Sequence, residues 1–223
     1  MTRTSTRGHG DDDYDDDAPW TTERLSEHGV TLHIVNMLAH GSLRSPIDVK
    51  QLALQVRNAD YTPRGFNALV IRFQTPKASL LVYRSGKFLI VGSKSEADTH
   101  QALDKFRSIL KKLSYPSDLS KFTIANVVGS ADLGFKVRLE GLAREHSRFC
   151  TYEPELFPGL IYRVVKPKCT LLVFVSGKII ITGYKTREEG EDVLCKMFPV
   201  LLQYRIRMES FDSDESDDSD GVL

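Results

Sequence analysis

Hydrophobic and polar positions change their period along this chain, and they do so twice in the same order. A strand-like pattern at about 31–39 returns at about 122–130. A short helical pattern follows at about 47–56, where Ile47, Val49, Leu52 and Leu54 form an apolar side, and at about 137–146, with Val137, Leu139 and Leu142. Strand-like segments come next at about 66–74, 78–84 and 87–92, and again at 158–166, 169–175 and 178–183. A long helix closes each set. The first spans about 95–113, with Ser95 as N-cap and Ala102, Phe106, Ile109, Leu110 and Leu113 on one stripe. The second opens on Thr186-Arg187-Glu188-Glu189, a capping-box pattern, and Pro199 is expected to kink it near its end.

The doubling extends to residue identity. Laid over residues 167–185, residues 76–94 match at 11 of 19 positions with a constant offset of 91. Ser85-Gly86-Lys87 and Ser176-Gly177-Lys178 fall between strand patterns and predict hairpin turns, with glycine where φ is positive. The chain thus reads as a first repeat over 30–118 and a second over 119–207. A unit of about 90 residues is too long for a solenoid repeat, so the two are like halves related by a pseudo-twofold axis.

Two helices per half can cover one face of an antiparallel sheet, and the other face should then be polar. It is not polar here. Leu171, Val173 and Val175 point one way from their strand, and Thr170, Leu172 and Phe174 the other. Leu80 and Val82 oppose Leu81 and Tyr83 in the same manner. Three readings stay open: a third layer, a sheet buried between two copies, or an uncovered apolar face that binds something.

Charge adds to the picture. Lys+Arg and Asp+Glu are equal at 30 each, yet six Asp and two Arg lie in residues 1–20, and seven acidic residues with no basic one in 208–223. The middle, 21–207, is left with 17 acidic and 28 basic residues, a field that attracts polyanions. The ends at 1–25 and 208–223 read as disordered acidic tails. Such tails could compete with a polyanion for the basic middle, and deleting 208–223 tests that. Arg72 and Arg163, Lys87 and Lys178, and Lys94 and Lys185 pair across the repeat at strand ends or hairpins, with Arg64 beside them. A basic rim around an apolar face with few base-reading groups suits the DNA minor groove, where shape and deformability carry specificity.

Other classes drop out. The longest apolar runs are too short for a span of about 20 residues, and the first residues lead into Asp runs instead of an apolar signal segment. Cys150, Cys169 and Cys195 are odd in number and lack a CxxC spacing, which predicts free thiols in a reducing compartment. Ser-Gly-Lys lacks the glycine of a phosphate loop, the six His have no metal spacing with Cys, and no nucleophile accompanies Glu153 and Glu155. No cofactor, metal or enzyme activity is expected.

The residues from Tyr152-Glu153-Pro154-Glu155-Leu156-Phe157-Pro158-Gly159-Leu160-Ile161-Tyr162-Arg163 through Pro167-Lys168 to Phe174-Val175-Ser176-Gly177-Lys178 resemble the second repeat of the TATA-box-binding protein family. Arg57-Asn58-Ala59-Asp60-Tyr61 and Ser85-Gly86-Lys87 resemble its first repeat more loosely. The resemblance covers about 31–207. It implies an α+β fold of two pseudo-symmetric repeats, a saddle-shaped curved antiparallel sheet with four helices on the convex face. It also implies a nuclear transcription initiation factor that binds and bends TATA-type promoter DNA; that family is itself the standing example of minor-groove binding with apolar wedges.

Site residues follow by the same resemblance. Phe157 and Phe174 match the second wedge pair, with Pro158 stiffening the backbone, and Phe66 and Tyr83 occupy the first, with Tyr in place of Phe. Asn36 and Asn126 match the two central donors. Leu38, Leu81, Leu89 and Val91, with Val128, Leu172, Ile180 and Thr182, would lie on the groove floor, and Arg72, Lys87, Arg163 and Lys178 at the phosphates. Glu153, Glu155 and Leu156 match a loop that contacts transcription factor IIB; in the family transcription factor IIA docks on the first-half edge, a surface too divergent here for its residues to be carried over, although a IIA-like partner stays open. The first half departs from the family pattern: Val91 replaces a threonine, Asn67 a small alanine, and Gly65 a basic residue. Tyr83 brings a hydroxyl to a dry wedge, so altered kinking is expected at that end. Two further readings remain: a related factor that has lost TATA preference and works through its protein partners, and an interaction module whose apolar face holds a polypeptide or a second copy of the chain.

Overall fold

The computed structural model describes residues 18–62 and 64–207. The elements run α1 (Thr22–Glu27), β1 (His33–Leu43), α2 (Val49–Gln55), β2 (Ala59–Asp60), β3 (Ala68–Phe73), β4 (Ala78–Tyr83), β5 (Lys87–Ser93) and α3 (Glu96–Lys112). The second set is β6 (Leu119–Asp132), α4 (Leu139–Glu145), β7 (Cys150–Thr151), β8 (Leu160–Val164), β9 (Cys169–Val173), β10 (Lys178–Tyr184) and α5 (Arg187–Leu202). All the strands form one curved, unclosed antiparallel sheet in the order β2-β3-β4-β5-β1-β6-β10-β9-β8-β7. This order reads alike from either edge, so the pseudo-twofold lies between β1 and β6. Both edge strands, β2 and β7, are only two residues long, which limits pairing with other chains.

The expected caps form. Ser95 Oγ accepts from Asp98 N at 3.0 Å, and Thr186 Oγ1 from Glu189 N at 3.3 Å. Glu189 reaches back, its carboxylate accepting from Lys185 N at 2.8 Å. The described helices pack on one face of the sheet only. Met37, Ala39, Leu80, Val82, Phe88 and Ile90 are buried there in the first half, and Val127, Leu171, Val173, Ile179 and Ile181 in the second. Each fully buried large side chain contributes about 1.5–3 kcal/mol relative to exposure. The alternate residues of the same strands stay half-buried. No described helix covers this second face, so a third layer within the described residues is excluded.

The two half-cores balance volume differently. In the second, Tyr184 lies against Gly129 and Gly190, where an added Cβ would come within 2.4 Å and 2.6 Å of its side chain. The corresponding first-half residues are Ser93, Ala39 and Thr99, with the two hydroxyls 2.7 Å apart. A large residue between two glycines replaces a small one between larger neighbours, which conserves packing. Among the described residues the buried Tyr184 hydroxyl has no hydrogen-bond partner. Burial, above all, pushes its pKa from 10.0 to about 12. Folding then favours the protonated form. That stability is fully present below pH 10 and is lost as pH climbs toward 12. Tyr184→Phe removes an unsatisfied hydroxyl, so it should raise stability by about 1 kcal/mol and flatten the alkaline loss. Melting temperatures across pH 8–12 check both effects, and a variant less stable than the parent at pH 8 would refute them.

Several expectations need correction. There are five helices among the described residues, not four. Disorder was expected through residue 25, yet Thr22–Glu27 is a helix, capped by Thr21, whose side chain accepts from Arg24 N. An aromatic anchor explains it: the Trp20 ring centroid lies 4.4 Å from Phe198 on α5, Arg24 stacks over the same indole, and Leu25 is buried. Leu54 is 86% exposed and lies off the apolar side of α2. Val137 precedes α4 and instead bridges Arg205. β1 and β6 run longer than predicted because each is the other's partner. α5 contains Pro199 and runs on to Leu202, which leaves the expected kink there neither supported nor overturned. Residues 1–17 and 208–223, with the tail expectations placed on them, lie outside the described residues.

Candidate nucleic-acid interface

Register places the uncovered residues in rows across the sheet. Arg72 opposes Ser79, Ser79 opposes Val91, Val91 opposes Leu38, and Leu38 opposes Asn126. The mirror row runs from Arg163 through Thr170, Thr182 and Val128 to Asn36. A second pair of rows joins Val70, Leu81, Leu89, His40 and Thr123, and Ile161, Leu172, Ile180, Ser130 and His33. The face is therefore largely apolar, with Ser, Thr and His side chains interspersed; it has two amides at its centre and an arginine at either end of the central rows. Lys87, paired with Ser42 in register, and Lys178, paired with Asp132, lie at the hairpin ends, and both are exposed.

Each central amide is held by a backbone donor. Gly92 N donates to Asn36 Oδ1 and Gly183 N to Asn126 Oδ1, both at 2.8 Å. Each oxygen thus accepts a backbone bond that orients the amide, and the NH₂ group is the donor each amide presents. Asn126 Nδ2 lies 3.3 Å from Thr182 Oγ1.

The predicted wedges differ between the halves. Phe157 and Phe174 meet edge to face, centroids 5.9 Å apart at 66°, and Phe157 is 37% exposed. Gly159 permits this, because a Cβ there would lie 2.8 Å from Phe157 and 3.0 Å from Phe174. Ala68 occupies the corresponding first-half position and pairs with Tyr83. Among the described residues Phe66 and Tyr83 make no ring contact with each other, and Phe66 is 47% exposed. The second pair is thus preassembled and the first is not. Pro158 is exposed beside Phe157.

On the rim, Arg72 Nη1 lies 4.0 Å from Asp60 Oδ2, with both side chains more than half exposed. Such a surface pair is weak enough to yield to a phosphate. Arg163 Nη1 donates to Thr151 Oγ1 at 3.2 Å. Lys94, Lys185 and Arg64 are exposed. Glu153 O accepts from Leu156 N and Phe157 N, making a tight turn that presents Glu153, Glu155 and a Leu156 that is 80% exposed. This turn is away from the central rows and forms a separate surface.

Sequence reasoning missed Val70, Ile161, His33, His40, Thr123 and Ser130 on this face. The signal was available only in part: Val70, Ile161, His40 and Ser130 stand two residues from a singled-out position on their own strand, whereas register shifts in the β1–β6 pairing put His33 and Thr123 out of that period. His33, Ser130, Phe174, Ile180 and Lys178 also line one hollow in the second half. No cluster of His, Cys, Asp and Glu that could hold a metal occurs among the described residues. No described helix is long and apolar enough to cross a membrane. The three cysteines are free, and burial pushes the Cys150 and Cys169 thiols up to about 11.

The family model for "Transcription factor TFIID (or TATA-binding protein, TBP)" matches residues 31–113 and again 121–204. The chain belongs to the TATA-box-binding protein family. The TATA-box-binding protein of Acetabularia peniculus is 43% identical over 183 residues, 82% of this chain and 96% of that protein. The one from Saccharomyces cerevisiae is 46% identical over 177 residues, 79% of this chain and 74% of the other. Among solved structures, Methanococcus jannaschii TBP superposes with a TM-score of 0.68 at 36% identity, covering 77% of this chain and 98% of the archaeal one. In TATA-box-binding protein terms, the two family matches coincide with the two halves of the sheet. Helix α1 and Trp20 precede the span that the family model matches.

Proposed function

We propose that this protein is a transcription initiation factor that lays the concave face of its sheet into the minor groove of A/T-rich, TATA-type promoter DNA, kinks it, and so seats the transcription machinery in the nucleus. The observation that carries this is the uncovered apolar face with two donor amides at its centre and arginines at both ends. In the minor groove, A·T pairs show only acceptors, whereas guanine adds an amino donor. Asn36 and Asn126 supply donors to the acceptors. Leu38, Leu81, Leu89, Val128, Leu172 and Ile180 offer a guanine amino group nothing to bond. Phe157 and Phe174 would replace lost base stacking with ring contact at one end of the site, and Phe66 and Tyr83 at the other. Arg72, Arg163, Lys87 and Lys178 would hold the flanking phosphates. The exposed turn of Glu153, Glu155 and Leu156, an acidic collar around an apolar tip, fits a transcription factor IIB-like partner. Docking of a transcription factor IIA-like protein at the first-half edge is a weaker fit, because that half departs most from the family.

Salt dependence tests the reading. Neutralising six or so phosphates should make affinity for an A/T-rich duplex fall by roughly 10³-fold between 50 mM and 200 mM salt. Fluorescence anisotropy of a labelled duplex measures the slope. A face that instead held a second copy of the chain through apolar contacts would give concentration-dependent dimers and no such slope.

A further inference from the structure

The two halves offer the centre of the groove different chemistry, and the difference is one hydroxyl. Both central amides are clamped alike, Asn36 by Gly92 N and Asn126 by Gly183 N, each at 2.8 Å. Asn126 Nδ2 then meets Thr182 Oγ1 at 3.3 Å, and the same two side chains are also placed for Thr182 Oγ1 to donate to Asn126 Oδ1 at 3.5 Å. The residue that corresponds to Thr182 is Val91. Register makes this strict: Val91 faces Leu38, which faces Asn126, and Thr182 faces Val128, which faces Asn36. Both side chains are half-buried on the uncovered face.

A hydroxyl carries one donor and two acceptor lone pairs. While Thr182 donates to Asn126 Oδ1, its oxygen keeps a lone pair for an incoming amino group. While it accepts from Asn126 Nδ2, its proton is free for an adenine or thymine acceptor. Val91 can do neither. Resting on the minor-groove reading above, we infer that Thr182 makes the second half tolerant of a G·C pair at the position it covers, whereas Val91 makes the first half exclude one. A guanine amino group against Val91 loses water and gains no acceptor, the costly case for a buried donor. Against Thr182 it finds one. A single hydroxyl thereby gives a nearly symmetric protein a direction on a symmetric A/T site: a lone G·C pair would be turned toward Thr182.

The test uses the full chain and a palindromic A/T-rich duplex. One G·C pair, or two placed symmetrically, is stepped outward from the centre one position at a time, and affinity is read by anisotropy at fixed salt. At the step that meets residues 91 and 182, one G·C pair should weaken binding only about twofold, because the protein loses one of two orientations, and the second should cost about tenfold more. Val91→Thr should reduce the second penalty to about the first, and Thr182→Val should make the first pair cost about tenfold. Equal successive penalties at every step in the parent protein, or variants that reproduce the parent pattern, would overturn the inference. Absence of binding to the all-A/T duplex would instead overturn the minor-groove reading itself.

Discussion

Phe174→Ala weakens binding to an A/T-rich duplex about tenfold to a hundredfold and lowers the bend angle, while the melting temperature stays within a few degrees. Stacking of one base on an aromatic ring is worth about 1–3 kcal/mol, and 1.4 kcal/mol is tenfold in affinity. The ring is half-buried on a face no helix covers, so its loss opens no enclosed cavity. Phe157→Ala should behave alike, because the two rings support each other at 5.9 Å. The double variant should lose less than the sum of the two, as expected for side chains in contact. Tyr83→Ala should cost less than Phe174→Ala, since Phe66 and Tyr83 are not preassembled. Anisotropy gives the affinities and energy transfer between duplex ends gives the bend. If Phe174→Ala left both unchanged, the second half would not be the wedge.

Gly177→Ala destabilises the fold by at least about 3 kcal/mol and lowers the melting temperature by roughly 6–12 °C. Two causes add. Gly177 has φ +89 at the β9–β10 hairpin, and an added Cβ would lie 2.0 Å from the backbone oxygen of Phe135. A backbone atom cannot rotate away as a side-chain tip can. Gly134 separates the two causes: its φ is +76, but a Cβ there meets nothing within 4 Å. Gly134→Ala should therefore show the conformational cost alone, about 1–2 kcal/mol. Thermal melts of both variants decide it. Equal losses would mean that the close approach to Phe135 contributes nothing.

Much of this was legible without coordinates, for identifiable reasons. Strand and helix periods repeat in order, and Ser-Gly-Lys marks the same hairpin twice, so the halves, the long helices and their caps could be placed within a few residues. Alternation failed to show how the sheet is assembled. Two-residue strands such as Ala59–Asp60 and Cys150–Thr151 carry no period at all. Helix α1 is short, polar on most positions and next to an acidic run, and only its contact with Phe198 explains why it is ordered. Leu54 fits the apolar side of α2 by spacing and is nonetheless exposed, because nothing packs over that position.

The site divides along the same line. The resemblance picked out the wedge, amide and rim positions because their residue types and spacing are specific. It could not show that Phe157 and Phe174 touch while Phe66 and Tyr83 do not, a difference that goes with Gly159 against Ala68. Nor could it show that Tyr184 fits because Gly129 and Gly190 make room.

By itself, the sequence determined that this is a twofold-repeated α+β chain whose sheet is apolar on both sides and whose middle is cationic. Those are properties of composition and local period, which short-range geometry converts directly into strands, turns and helices. Only the tertiary structure decided which apolar side stays bare and which residues share a row across it. Both depend on the pairing of β1 with β6 and on the side to which the helices fold. These contacts join residues about 90 positions apart, and no local pattern encodes them.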